Sequence, residues 1–226
     1  MSQSIVRTLH IEVSGHRVPV HVVGTAIVGA GAAGMGCAVR LWEFLRDQGI
    51  TRPEDRLCVV TGGVGLGASR MSGSDKQTYY KMGTSPRVSD SAEQFAAALM
   101  AGGCMHGDHA LAEGLGSLRG FYALCDAGVP FPHDPWGAFL GYKTDHDPYE
   151  RATSAGPKTS KFMSECLQAK AKQYGVPIID KHEVIELLTT GDRADRRIIA
   201  LLCIDKRGVA EDGFGLPQLP LGRNYR

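Results

Sequence analysis

The sequence lacks a surplus of charge of either sign: 25 Lys and Arg stand against 24 Asp and Glu, leaving a formal +1. With no overall field to hold a phosphate polymer or an anionic membrane surface, nucleic acid is not an expected partner, and any acidic ligand must be met locally. Paired cysteines are lacking too. Cys37, Cys58, Cys104, Cys125, Cys166 and Cys203 stand at least 21 positions apart, with no C-x-x-C for zinc or a redox couple, and are read as buried, reduced thiols. No run approaches about 18 uncharged apolar residues, so no transmembrane segment is expected. The stretch Met1 to Val13 alternates polar and apolar residues without the plan of a secretory signal, and the expectation is a cytoplasmic soluble protein. With 29 Gly and 11 Pro the chain falls below collagen-like or low-complexity levels, and 226 residues suffice for one large domain or two small ones.

What is present reads as an α/β protein. Ile5 to Val13 and Arg17 to Val23 alternate around Ser14-Gly15 and predict an N-terminal β-hairpin. Thr25 to Val28 is a short apolar run of the kind a strand buried on both faces requires, and it stops at Gly29. From Met35, apolar residues recur through Ala38, Val39, Trp42 and Leu45 at helical spacing, with Gly49 placed to end the helix. Leu57 to Val60 supplies a second buried strand, completing a β-α-β unit.

Thr61 to Gly73 is glycine-rich, with Ser69 and Ser72 within it and Ser74 and Asp75 beside it, and has the character of a loop lying against something. Asp90 with Glu93 predicts a capping box for one helix, and Asp108 predicts the cap of the next. Pro130 to Pro157 reads as a long connection that is either functional or covered by a partner. Gly156-Pro157 predicts the start of a further helix, Val176 to Ile179 a strand, and Val184 to Leu188 with Ile198 to Ile204 an antiparallel pair.

The chemistry concentrates in Gly29-Ala30-Gly31-Ala32-Ala33-Gly34, a G-x-G-x-x-G placed between a strand and an amphipathic helix. Gly29 suits the tight turn, Gly31 permits backbone approach to a pyrophosphate, and Gly34 permits close packing of helix on strand. The first-turn amides, which include those of Ala32 and Ala33, then face the anion. A glycine turn with no ligand is the alternative. The acidic residue expected at the end of the second strand is missing, because Val60 is followed by Thr61 and Gly62.

The first motif, together with Gly65-Leu-Gly-Ala-Ser-Arg-Met-Ser-Gly-Ser-Asp-Lys76, resembles the flavin-binding segment of the fumarate reductase and succinate dehydrogenase flavoprotein family. The resemblance implies a Rossmann-like FAD-binding domain with a parallel sheet. Its first motif would hold the FAD pyrophosphate, and its second would run along the ribityl chain and isoalloxazine. The cofactor-binding residues so implied are Gly29, Gly31, Ala32, Ala33, Gly34, Thr61, Gly62, Gly67, Ala68, Ser69, Ser72, Gly73 and Ser74, with backbone contacts to adenine near Glu183 and Val184. Ala68 stands where respiratory members carry the histidine that links covalently to FAD, so the flavin is expected to be non-covalent. Weaker likeness continues through Ala127 to Phe131, Ser154 to Ser160 and Gly175 to Ile179.

The resulting division is a hairpin extension over 1–22, the N-terminal part of an FAD-binding domain over 23–208, and an irregular tail over 209–226. The capping domain and catalytic arginine and histidine of the family have no counterpart here, so the domain is expected to be incomplete. The expected activity is two-electron reduction or dehydrogenation of a small substrate; the alternative is a non-catalytic half that needs a second polypeptide, and an NAD(P)-binding domain stands third. Catalytic residues are not assigned. His133-Asp134-Pro135 and His146-Asp147-Pro148 read as substrate-facing or solvated loops, and Arg151 and Lys158 as carboxylate binders or ordinary surface charge. Cys104, His106, Asp108 and His109 offer metal-ligand types, but Asp108 is better used as a cap and no metal is expected.

Overall fold

The computed structural model describes residues 7–73, 77–85 and 87–207. In chain order the elements are β1 (Arg7–Val13), β2 (His16–Val22), β3 (Thr25–Val28), α1 (Ala32–Asp47), β4 (Leu57–Val60), α2 (Ala68–Met71), β5 (Tyr79–Tyr80), α3 (Ala92–Ala101), α4 (Gly107–Asp126), β6 (Tyr142–Thr144), β7 (Asp147–Thr153), α5 (Thr159–Gln173), β8 (Ile178–Ile179), β9 (His182–Thr190) and β10 (Arg197–Asp205). They fall into two compact units: residues up to Gly67 together with those from Ala171 onward form the first, and Ala68–Lys170 the second. The expected tail over 209–226 and Ser74 lie outside the described residues.

The first unit is built on a three-stranded parallel sheet of order β3-β4-β8. Thr25 pairs with Leu57 and Val28 with Val60, while Val59 and Val60 pair with Ile178 and Ile179. β4 is central, and all four of its side chains are buried. A fully buried Leu or Val contributes about 1.5–3 kcal/mol, so this short strand is a principal anchor of the unit. β3 departs from its expected burial. Only Ile27 is covered, and Val28 remains 55% exposed, because among the described residues β3 is an edge strand with a neighbour on one side alone. α1 connects β3 to β4 and lays Met35, Ala38 and Val39 into the core. One turn further along the same face Trp42 stacks on Tyr174 at 4.0 Å between ring centroids, and the Tyr174 hydroxyl donates to Glu43.

Two antiparallel hairpins belong to the same unit. β1 and β2 pair from Arg7↔Val22 to Val13↔His16, and Ser14 and Gly15 both take positive φ, the two-residue turn that matches strand twist. β9 and β10 pair with two register irregularities and extend beyond the predicted pair at both ends. Val176 and Pro177 precede β8 instead of belonging to it.

The second unit contains a sheet of order β5-β7-β6, which the prolines and glycines of the 130–157 stretch conceal in the sequence. Its aromatic core gathers Tyr79, Phe121, Phe131 and Phe139, with Phe121 centred 4.8 Å from Phe131 and 5.1 Å from Phe139. Helix starts differ from expectation. Ser91, not Asp90, caps α3 by accepting from the Gln94 amide, because Asp90 is engaged elsewhere. His106 is the cap position of α4, and Asp108 lies inside its first turn. α5 begins at Thr159, where the Thr159 hydroxyl accepts from the Ala155 amide and the Gln77 side chain accepts from the Ser160 amide.

Arg151 is neither surface charge nor a ligand site, as both readings had it. It is buried, donating through Nε and Nη2 to Asp90 at 2.8 and 2.6 Å and through Nη1 to Asp147 at 3.0 Å, with its guanidinium over Phe95 and Tyr149. Asp147 is therefore a structural partner, and His133 is an exposed loop residue bonded to the Asp134 carbonyl. The thiols also differ from expectation, since Cys37 and Cys104 are exposed and Cys58 alone is buried. Its burial in β4 pushes the Cys58 thiol up to about 11.

Lys81 is fully buried, its ammonium donating to the Thr84 hydroxyl at 2.6 Å and lying 5.4 Å from the centre of the Phe121 ring. Burial pulls it down to about 8. Below that pH the folded state carries a desolvated charge; between about 8 and 10.5 the proton is held mainly by the unfolded chain, so stability from this group rises with pH. Lys81→Met is therefore expected to be more stable than the parent near neutrality, by at most about 3 kcal/mol, with the advantage shrinking toward pH 10. Urea unfolding of both proteins across that range tests this, and a constant difference would refute it.

Candidate functional site

The glycine turn between β3 and α1 is the feature of the first unit whose geometry asks for a ligand. Gly29 leaves β3 with φ of +96°, a backbone state that disfavours any side chain, and its amide donates to the Val60 carbonyl at 2.8 Å. A Cβ on Gly34 would collide with the Gly29 carbonyl oxygen and meet Ile27 Cγ2 at 3.6 Å, so Gly34 is demanded by the packing of helix on strand.

Gly31 is different. Its φ of −76° is open to any residue, and a Cβ there would meet no atom within 4 Å. The protein's own packing therefore gives no reason for glycine at 31, whereas close approach by an external group does. Gly67 lies against this turn from the following loop, where a Cβ would come 3.3 Å from Gly31 Cα.

Gly31 is also the cap position of α1 and supplies no side-chain acceptor, and no acidic residue occupies the first turn. The amides at Ala32, Ala33 and Gly34 thus keep the partial positive charge of a helix end, with nothing of opposite sign from the cap or first turn to neutralise it. α3 and α5 differ, since Ser91 accepts from the Gln94 amide of α3 and Gln77 from the Ser160 amide of α5. A pyrophosphate fits the site at α1 on three counts: open space at Gly31, donors without a side-chain cap, and no acidic residue in the first turn of α1.

Beyond β4 the chain turns at Thr61–Gly63. The Thr61 amide donates to the Ile179 carbonyl, and its carbonyl accepts from the His182 amide, fastening the end of β4 to the start of β9. The Thr61 hydroxyl folds back on Gly63 at 3.4 Å. Asp180 Oδ1 accepts from the Val64 amide at 2.9 Å. Val184 sits two residues into β9, half-buried and opposite Cys203, in the same unit as the glycine turn.

The remaining expected residues belong to the second unit. Ala68 opens the single turn α2, Ser69 is half-buried within it, and the Ser72 hydroxyl donates to the Ala68 carbonyl at 2.6 Å. Gly73 follows, exposed. Arg70 pairs with Glu165 of α5, so it is not a free anion contact. One residue escaped the sequence reading as a side chain. The Glu183 carboxylate lies directly against Gly62, so closely that a Cβ at 62 would collide with it. Only the pairing of β8 beside β4 brings the two together, and no local pattern signals it.

No family model matches the chain, and no curated protein matches it. Solved structures do. An E. coli quinol fumarate reductase variant superposes with a TM-score of 0.61 at 20% identity, over 81% of this chain and 29% of that one. The open conformation of a flavocytochrome c3 fumarate reductase gives 0.63 at 18% identity, over 81% and 30%. The 3-ketosteroid-delta4-(5alpha)-dehydrogenase of Rhodococcus jostii RHA1 gives 0.59 at 18% identity, over 80% and 42%. The chain spans less than half the length of each. Over four fifths of its residues it has the fold of part of a fumarate reductase flavoprotein chain.

Proposed function

We propose that this chain is the FAD-binding portion of an oxidoreductase, holding FAD non-covalently and working in the cytoplasm on a small substrate. The observation that carries this reading is Gly31: a glycine facing open space at the uncapped start of α1, in a chain that is similar in fold over 81% of its length to part of a fumarate reductase structure. The amides at Ala32, Ala33 and Gly34 would hold the pyrophosphate, while Gly31 and Gly67 give it backbone clearance. By that assignment Thr61, Gly62 and Val184 would serve the adenosine, and Ala68, Ser69, Ser72, Gly73 and Ser74 the ribityl chain and ring. When bound, FAD would supply two-electron chemistry at its isoalloxazine. Free thiols throughout the described residues suit a reducing compartment.

A second reading has its own support. Among the described residues β3 is an open sheet edge with Val28 exposed, and Arg151 is spent on Asp90 and Asp147 and is not available to a substrate. A second polypeptide would then complete sheet and site. Mass and visible spectrum of the purified chain decide between the two. Flavin absorption at a protein mass of 24.2 kDa supports cofactor binding by this chain alone or self-associated. A colourless protein that stays colourless with added FAD refutes that reading and directs the search to a partner chain.

A further inference from the structure

In a dinucleotide-binding β-α-β unit, an Asp or Glu at the end of the second strand ordinarily accepts from the ribose hydroxyls of the adenosine. Here that position carries Thr61 and Gly62, with no carboxylate of its own. The structure nevertheless puts one there. Glu183 Oε2 occupies the space a side chain at 62 would fill, reaching it from the start of β9.

The framework around it is well fixed. β8 pairs with β4 through Val60↔Ile179, and the Thr61 amide and carbonyl bond to Ile179 and His182 on either side of the connecting turn. Glu183 itself is held in register by Ile204 of β10. Lys206 Nζ stands 3.6 Å from Glu183 Oε2, beyond hydrogen-bond length, and the carboxylate remains half-exposed with acceptor capacity to spare.

Resting on the proposed function, we infer that Glu183 is the ribose-binding and specificity-determining carboxylate of this site. It accepts from the vicinal hydroxyls of the adenosine ribose and repels a 2′-phosphate. The acid comes from the start of β9 instead of the end of the second strand, and its carboxylate lies in the space beside Gly62. A missing motif residue is thereby replaced from about 120 positions away, across the β4–β8 pairing.

The experiment measures binding of FAD, of ADP and of ADP carrying a 2′-phosphate, by calorimetry on the full chain and on Glu183→Gln, with circular dichroism confirming the fold. The parent is expected to bind FAD and ADP and to reject the 2′-phosphate form. Glu183→Gln is expected to bind ADP about tenfold or more weakly and to lose its discrimination against the 2′-phosphate. A second variant combines Gly62→Asp with Glu183→Ala, which frees the space and returns the acid to the strand end; restored ADP preference supports the inference. A folded double variant no better than Glu183→Ala alone overturns it, as does undiminished discrimination in Glu183→Gln. If the parent binds neither FAD nor ADP, the proposed function fails and this inference fails with it; if the parent binds both and Glu183→Gln matches it, only this inference fails.

Discussion

Arg151→Ala is expected to destabilise the protein by about 3–5 kcal/mol, because it strands two buried carboxylates whose cationic partner among the described residues is Arg151. Arg151, Asp90 and Asp147 are almost wholly removed from solvent, and the guanidinium grips Asp90 through two parallel bonds while also reaching Asp147. Lysine should not rescue, since an ammonium cannot reproduce the fork or stack on Phe95 and Tyr149. Burial pushes the Asp90 carboxyl up, but the Arg151 hydrogen bonds and charge outweigh it and hold it below its usual value of 3.8. This contribution is therefore present above about pH 4 and is lost as pH falls through the lowered folded value. Urea denaturation of Arg151→Ala and Arg151→Lys measures the effect, and a cost under about 1 kcal/mol would contradict this account of the buried network.

The glycines of the turn should divide into two kinds. Gly34→Ala places a methyl against the Gly29 carbonyl, which is backbone and cannot swing aside, so the turn or the seat of α1 must shift. A loss of about 3 kcal/mol or more is expected, at the upper end of overpacking costs. Gly31→Ala meets no atom and needs no unusual φ, so folding stability should change by less than about 1 kcal/mol. Gly31→Val should likewise fold and yet fail to bind FAD, because the added branch stands where the pyrophosphate approaches. Melting temperature and flavin content, measured together on the three variants, separate the glycine required by packing from the glycine required by ligand. A folded Gly31→Val with full flavin content would remove the main support for the site.

These contrasts show which parts of the molecule a sequence displays. β1 and β2, the strand-turn-helix at Thr25 to Asp47, and β9 with β10 follow local periodicity and turn chemistry, and the structure contains each of them. The burial of β3 was not legible, because strand order, not composition, makes it an edge. The cap of α3 was misplaced by one residue because the neighbouring Asp90 is claimed by Arg151, 61 positions later, and a capping pattern says nothing of distant cations. β5, β6 and β7 were hidden since two strands hold two or three residues each and the stretch is rich in turn formers. At the candidate site, Gly29 and Gly34 carry their reasons in the local chain. The carboxylate at Gly62 does not, since its presence depends on which strand lies beside β4.

The order of strands in the first unit also sets a timetable for synthesis. β3, α1 and β4 leave the ribosome before β8, which covers the second side of β4 and is encoded after the whole of Ala68–Lys170. At about 5–20 residues per second, roughly ten seconds pass between the two. Through that interval Leu57 to Val60 has one paired flank, and the nascent chain presents an apolar strand with unused backbone donors and acceptors. The intervening unit can form its own local contacts meanwhile, so it is expected to fold first although the parallel sheet was begun before it. Cells expressing this protein should therefore show it in prolonged association with chaperones that hold exposed strands, released only once Ile178 and Ile179 have emerged.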